Sequence, residues 1–378
     1  MSKKKIFLII ALTALVTFLS TLLGLGIVAI KVADVRPDDA ARFIGAYKVI
    51  RNRYVDKTDQ TSLFDGAISG MVRSLKDPHS VYLEPEMYHE LLNQTGGTFG
   101  GIGVYMDFRD KKIRVLSVIE NTPAQKAGIM PNDEIIAVDD VSVKEMDPGT
   151  VVLKIRGEIG TDVKLTLRSP SGDERDVTLT RGIIKSKSVH GKMLENSIAY
   201  IRISNFTEQT GNEFKETYAK MENEGMKKIV LDLRQNPGGL VNTCVDVANY
   251  FVPKGTVVTV EDKNGEIEEY NSNLEEVKYP LAVLVDGNSA SASEILAGAI
   301  KDTKSGTLIG EKTFGKGSIQ VVIPMFHNDA VKLTVAKYFT PSGVSIDGVG
   351  IEPDVEAKFS PGDKDDIQLK KAVEILEK

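Results

Sequence analysis

The chain has 378 residues, 42% hydrophobic and 26% charged, with a formal net charge of −6. Length and composition suit two or three globular domains and exclude a disordered or low-complexity chain. The acidic balance, with no basic stripe after the first few residues, excludes a nucleic-acid partner. One cysteine, Cys244, excludes an internal disulfide and a Cys-based zinc site. His89-Glu90 fails as a zinc-protease helix because position 93 is Asn. No metal or organic cofactor is implied.

Lys3-Lys4-Lys5 precedes an uncharged run from Ile6 to Ile30, closed by Lys31. Its length of about 25 residues is enough to cross a hydrocarbon core with some tilt. The basic tip orients such a span with the N-terminus inside and the rest outside. A cleaved signal peptide is the alternative, but the run is long and no clean small-residue cleavage site follows it. The expectation is a single-pass anchor in the cell membrane over residues 1–34, with an extracytoplasmic catalytic part.

Phe43, Ala46, Tyr47, Ile50 and Tyr54 recur at helical spacing, as do Leu63, Ala67, Met71 and Leu75. They predict a helical segment over 35–94, broken at Asp77-Pro78-His79-Ser80. From Thr95 the texture changes to short strands and Gly-rich turns. Strands are predicted at Val115–Ile119, Glu134–Val138, Lys164–Leu167 and Asp176–Leu179, with short helices at Pro123–Ala127 and Val151–Ile155. This stretch, taken as 95–183, has the size of a small independent domain.

From Ser197 strands and helices alternate, which favours an α/β layer architecture over 184–378. Strands are expected at Ile198–Ile203, Ile229–Leu233, Val257–Val260 and Leu281–Val285. Helices are expected at Phe214–Asn223, Val241–Phe251, Ser289–Lys301 and Ile367–Leu376.

Three segments could carry chemistry. Asp286-Gly287-Asn288-Ser289-Ala290-Ser291-Ala292-Ser293-Glu294 joins a buried strand to a helix of small residues. A serine there sits among helix N-terminal N–H groups, which acyl transfer needs for its developing oxyanion, or it simply caps the helix. Gly310 to Gly317 comes within one residue of a phosphate-binding loop. Gly317 removes the Mg²⁺-binding hydroxyl, however, and Ser318–Ile323 reads as a strand where a helix would be required. Asp232-Leu233-Arg234-Gln235-Asn236-Pro237-Gly238-Gly239 runs a strand into a tight turn, either an oxyanion site or a plain connection.

Together these motifs resemble the carboxyl-terminal processing peptidases, tail-specific serine proteases with an internal PDZ domain. Ser-Ala-Ser-Ala-Ser-Glu-Ile, Phe-Gly-Lys-Gly-Ser-Ile-Gln and the Asn-Pro-Gly-Gly turn match the family in order and spacing. So do Asp77 to Leu83 and the closing segments Tyr338 to Gly343 and Gly350 to Asp354. Val344 departs from the basic residue common in relatives. The resemblance runs from about Phe43 to Leu376. It implies a mixed α/β serine peptidase core with an inserted PDZ domain, an N-terminal helical segment and the membrane anchor. It also implies an endopeptidase of the serine hydrolase class.

Carried over residue by residue, the resemblance makes Ser291 the nucleophile, Lys316 the general base and Gln320 the residue orienting the base. The backbone N–H groups of Gly239 and Ala292 become oxyanion donors, while Ser289 and Ser293 pack or cap. A neutral lysine is required, so Lys316 must be buried away from carboxylates; an apolar setting around Phe314 and the following strand is the expected source. Phe99-Gly100-Gly101-Ile102-Gly103-Val104 resembles the PDZ loop that holds a peptide carboxylate, through Gly101, Ile102 and Gly103. The partners implied are protein or peptide substrates with exposed C-terminal tails. The family tendency and the apolar helices between Asp38 and Leu75 point to self-association. Arg156 either couples tail binding to catalysis or is a surface arginine at a helix end. A catalytically dead peptide receptor is the rival class; the intact Ser291, Lys316 and Gln320 favour the enzyme.

Overall fold

The computed structural model describes residues 35–108, 112–119, 121–358 and 365–378, with Lys5, Thr13, 15–18 and Thr21 upstream. Most of the run from Ile6 to Ile30 lies outside the described residues. Among the described residues no helix is long and apolar enough to cross a membrane. The chain divides into two compact units, 1–74 and 75–378.

The first unit holds α1 (Pro37–Arg53) and α2 (Gln60–Arg73). Proline in the first turn starts α1, and the Asp59 side chain caps α2 by accepting from Ser62 N–H. Tyr47 and Phe64 pack with ring centroids 5.4 Å apart. Two helices bury little, so Phe43, Ile44, Val49 and Met71 stay exposed.

The second unit opens with β1 (Val81–Leu83) and α3 (Pro85–Thr95), then enters the strand-rich stretch. There β2 (Thr98–Gly101), β3 (Val104–Asp107), β4 (Arg114–Val118), α4 (Pro123–Lys126), β5 (Glu134–Val138) and β6 (Val141–Ser142) follow. The stretch ends with α5 (Pro148–Ile155), β7 (Asp162–Arg168), β8 (Glu174–Thr180) and β9 (Gly182–Lys185). One antiparallel sheet runs β3-β4-β5-β7-β8, and β2 pairs β9 beside it. Val115, Ile135, Leu165 and Leu167 fill its core together with Val151 and Ile155 of α5.

The α/β core starts with β10 (Val189–Met193), β11 (Ile198–Ile203), α6 (Thr210–Asn223), β12 (Lys228–Asp232) and α7 (Val241–Ala248). The hairpin β13 (Gly255–Asp262) and β14 (Ile267–Ser272) precedes β15 (Leu281–Val285), α8 (Ala292–Thr303) and β16 (Thr307–Gly310). It closes with β17 (Ser318–Pro324), β18 (Ala330–Phe339), β19 (Val355–Glu356) and α9 (Ile367–Glu377). The main sheet runs β10-β11-β12-β15-β16-β19 and is parallel from β11 onward.

Side-chain alternation gives this sheet two buried faces. Ile229, Leu231, Val283 and Val285 join α6, α7 and α8 in one cluster. Val230, Ala282 and Leu284 meet Ala372 and Leu376 of α9 on the other. A second sheet has β18 at its centre, with β17 along one side and β1 and β13 along the other. The 77–83 motif thereby reaches the peptidase core.

Candidate active site

The carboxyl ends of β11, β12 and β15 converge, as ligand crevices in parallel sheets do. Asn236, fully buried just past β12, pins them together. Its amide nitrogen donates to Ile203 O at 2.9 Å, and its carbonyl accepts from Ala290 N and Ser293 Oγ at 3.0 Å each. Its side-chain oxygen accepts the Gly238 N–H at 2.9 Å. The Asn236 side chain thus ties the turn to β11, while its main-chain carbonyl ties the turn to the 286–294 loop.

Within that loop the three serines divide by environment. Ser289 and Ser293 are fully buried, and their hydroxyls are spent on Leu233 O and Asn236 O. Ser291, between them, is only partly buried and caps α8 with φ +54°. A left-handed conformation is costly for a non-glycine residue and persists where its surroundings impose it. Here it turns the chain sharply from strand to helix and lifts Ser291 to the helix N-terminus.

Gly238 and Gly239 lie directly against it. A Cβ on Gly238 would fall 2.6 Å from Ala290 O, 2.8 Å from Ser291 Cβ and 2.9 Å from Ala292 N. One on Gly239 would fall 2.0 Å from Phe206 O. Only glycine permits this approach. The N–H groups of Gly239 and Ala292 donate to no acceptor among the described residues. Two unspent donors beside a serine hydroxyl are what a tetrahedral oxyanion needs.

Glu294 connects this loop to Lys316. Its fully buried carboxylate accepts from Ser291 N at 2.8 Å, Thr313 Oγ1 at 2.6 Å, Gly315 N at 2.7 Å and Lys316 N at 2.9 Å. Burial pushes this carboxyl up from its ordinary range, opposed by those four donors. All four are donors, so the acceptor form is the one the geometry uses. The buried Tyr338 hydroxyl ties the same two residues again, donating to Ser291 O at 3.2 Å and to Lys316 O.

Burial holds the Lys316 ammonium below the ordinary lysine range, with Lys332 adding to the effect and Asp77 and Glu294 opposing it. The expected setting was Phe314 with the following strand; of these, Phe314 is 61% exposed, whereas Ser318 at the start of the strand is buried. The segment after Gly317 is β17, so no helix opens there as a phosphate loop requires. Gln320 lies on β17, its amide nitrogen 3.0 Å from Ser318 Oγ and 3.2 Å from Thr334 Oγ1, and it makes no hydrogen bond to Lys316 among the described residues.

In the strand-rich stretch, Ile102 is buried, and its carbonyl and that of Gly103 are taken by Ala124 N and Ile119 N. The N–H groups of Ile102 and Gly103 donate to no described residue. Gly101 pairs with Gly182 between β2 and β9. Arg156 caps α5, its guanidinium 4.1 Å from the centroid of the Phe99 ring. Arg181, which the sequence did not single out, takes the carbonyls of Lys154 and Ile155 at that helix end.

Neither Glu294 nor Asn236 was legible as a hub. Both sit inside recognisable motifs, but their partners are far away in sequence. The pair Asp232–Arg234 is similar: Arg234 bonds Asp232 at 2.7 Å and Asp366 at 2.8 Å, locking α9 to the β12 end.

The geometry is that of a serine hydrolase joined to a peptide-binding sheet, and the comparisons agree. Residues 197–357 match peptidase family S41, residues 100–180 the PDZ domain and residues 30–87 the N-terminal domain of the activating protease CtpB. The chain is 39% identical over 360 residues to the carboxy-terminal processing protease CtpA of Bacillus subtilis (strain 168), covering 94% of this chain and 77% of that one. It is 36% identical to CtpB of the same organism, covering 87% and 70%. The solved photosystem II D1 C-terminal processing protease superposes with TM-score 0.51 at 30% identity, covering 89% of this chain and 96% of that one. The chain belongs to peptidase family S41. It is a carboxy-terminal processing serine protease with a PDZ domain.

Proposed function

We propose that Ser291 and Lys316 form a catalytic dyad working through an acyl-enzyme, on protein substrates whose C-terminal tails enter the PDZ domain. The observation that carries this reading is the Glu294 carboxylate, hydrogen-bonded to the backbone N–H of both residues. Neutral Lys316 takes the Ser291 proton as Oγ attacks the scissile carbonyl, and the N–H groups of Gly239 and Ala292 receive the oxyanion. The lysine passes that proton to the departing amine as the C–N bond breaks. Water, deprotonated by Lys316, then cleaves the ester and restores Ser291. Gln320 belongs to this set through the strand it shares with Ser318, where it fixes the approach to Lys316.

Ser291→Ala and Lys316→Ala are each expected to abolish cleavage of an unfolded protein substrate while leaving the circular dichroism unchanged. The two act as one unit, so the double variant is expected to be no slower than either single one. Activity surviving in Lys316→Ala would sink the dyad.

In this reading the PDZ domain receives the tail carboxylate at the N–H groups of Ile102 and Gly103, while Gly101, paired with Gly182, holds the start of the loop. The basic tip and the apolar run after it support a single-pass membrane anchor with the catalytic part extracytoplasmic. Recovery of the chain in membranes before, but not after, removal of residues 1–34 tests that. The exposed apolar side chains of α1 and α2 support self-association. Sedimentation of the chain with and without residues 35–74 reads it directly; an unchanged mass would end the idea.

A further inference from the structure

The Asp77-Pro78-His79-Ser80 stretch has no part in the scheme above, yet it is hydrogen-bonded to the strand pair that follows Lys316. The Ser80 hydroxyl donates to the Asp77 carboxylate at 2.5 Å and accepts the Thr334 N–H at 3.0 Å. Asp77 also takes the His79 N–H at 3.0 Å. Thr334 pairs with Gln320 across β17 and β18, and the Gln320 amide nitrogen donates to its hydroxyl and to that of Ser318. A continuous hydrogen-bonded chain thus runs from Asp77 to Ser318, two residues from Lys316. Lys332 stands two residues before Thr334, hence on the same face of β18, and pairs with Val81, the residue after Ser80.

We propose that Asp77 and Lys332 are positioning residues for Lys316, acting on its ammonium with opposite sign, and that Asp77 also anchors the strand pair behind it. The proposal rests on Lys316 being the general base. The charged and titratable groups around Lys316 are Asp77 from the loop before β1, Lys332 from β18 and Glu294 from α8. Tyr338 meets its carbonyl, and Asp347 accepts the N–H of the adjacent Gly317.

Burial alone would raise the Asp77 carboxyl, but hydrogen bonds from Ser80, Thr334 and His79 win and hold it at about 2. Asp77 is therefore charged wherever the lysine titrates. It favours the protonated amine, while Lys332 and burial favour the neutral one. The neutral amine accepts the serine proton, so the balance between these two side chains sets the pH at which the enzyme switches on.

The test is kcat/KM against pH for the full chain, with a peptide whose chemical step is rate-limiting. Asp77→Asn should move the acidic limb to lower pH and Lys332→Gln should move it to higher pH, each by about half a pH unit or more. A structural role alone would lower the rate without displacing the limb in opposite directions. Ser80→Ala keeps both charges and breaks the chain, so it should lower kcat several-fold with KM little changed. Limbs that stay at the wild-type pH in both charge variants, with Lys316→Ala inactive, overturn the proposal and leave the base assignment standing. An active Lys316→Ala overturns the base assignment itself, and this proposal with it. If Asp77→Asn fails to fold, the Lys332→Gln limb decides alone: a rise supports the proposal and no movement ends it.

Discussion

At the scale of single residues, three costly groups stand where the proposed dyad would use them. Ser291 holds a left-handed backbone, Glu294 a buried carboxyl and Lys316 a half-buried amine. A group whose folded pKa lies below its unfolded one binds protons less readily in the folded chain. For Lys316 the resulting penalty is absent above the ordinary lysine range, grows as pH falls towards the folded value, and is full below it. Lys316→Met removes the charge and keeps the stem, so it should abolish cleavage while raising Tm at neutral pH by about 1–2 °C. The gain should vanish above the ordinary lysine pKa. A lower Tm at neutral pH would show that attraction to Asp77 and Glu294 outweighs burial. The serine motif left capping and catalysis open on its own residues, and the resemblance, not the spacing, singled out Ser291. Burial is what distinguishes the three serines physically, and burial depends on Asn236 and Leu233, some fifty positions away.

At the scale of elements, the parallel strands were legible because runs such as Leu281–Val285 are apolar on both faces. The short β1 was not read, and α3 was covered only by the helical segment expected over 35–94, without bounds of its own. Val81–Leu83 has too few residues to show a period, and α3 mixes polar and apolar positions with no buried residue. β18 also escaped, since it carries the half-exposed Lys332 and Thr334 and the exposed Lys337 among apolar neighbours.

The glycine turn offers a test of how elements build the site. Gly238 has φ +98° and backbone atoms within 3 Å of any added Cβ, whereas Gly225 has φ +86° and open space. Gly225→Ala should cost about 1 kcal/mol of stability through its backbone conformation and leave kcat unchanged. Gly238→Ala must also push the turn away from Ala292, and should lower kcat on the order of 100-fold, the effect of losing one oxyanion donor. Equal kcat losses in the two variants would mean that the turn acts only through overall stability.

At the scale of the whole molecule, the question is whether an occupied PDZ domain does more than tether substrate. Arg156 is the residue on which we place the coupling. Its guanidinium lies over the Phe99 ring, close in sequence to Ile102 and Gly103, whose N–H groups donate to no described residue and are the proposed carboxylate donors. Arg156 caps α5 through its backbone N–H, and Arg181 serves the last carbonyls, so the Arg156 guanidinium is not needed there. The guanidinium over the Phe99 ring carries five N–H donors in a rigid fork, a match for a tail carboxylate. If tail binding redirects those donors and favours the active arrangement, occupancy shifts a population and adds catalysis beyond local concentration. Arg156→Ala should then slow cleavage of a peptide with a free C-terminus on the order of tenfold, and barely affect the amidated peptide. Arg156→Lys should rescue poorly, because one ammonium cannot reproduce the fork. Phe99→Leu, which removes the stack but keeps the arginine, separates holding the side chain ready from using it. Wild-type rates on both peptides in Arg156→Ala would make this arginine a surface residue and leave the PDZ domain as a tether.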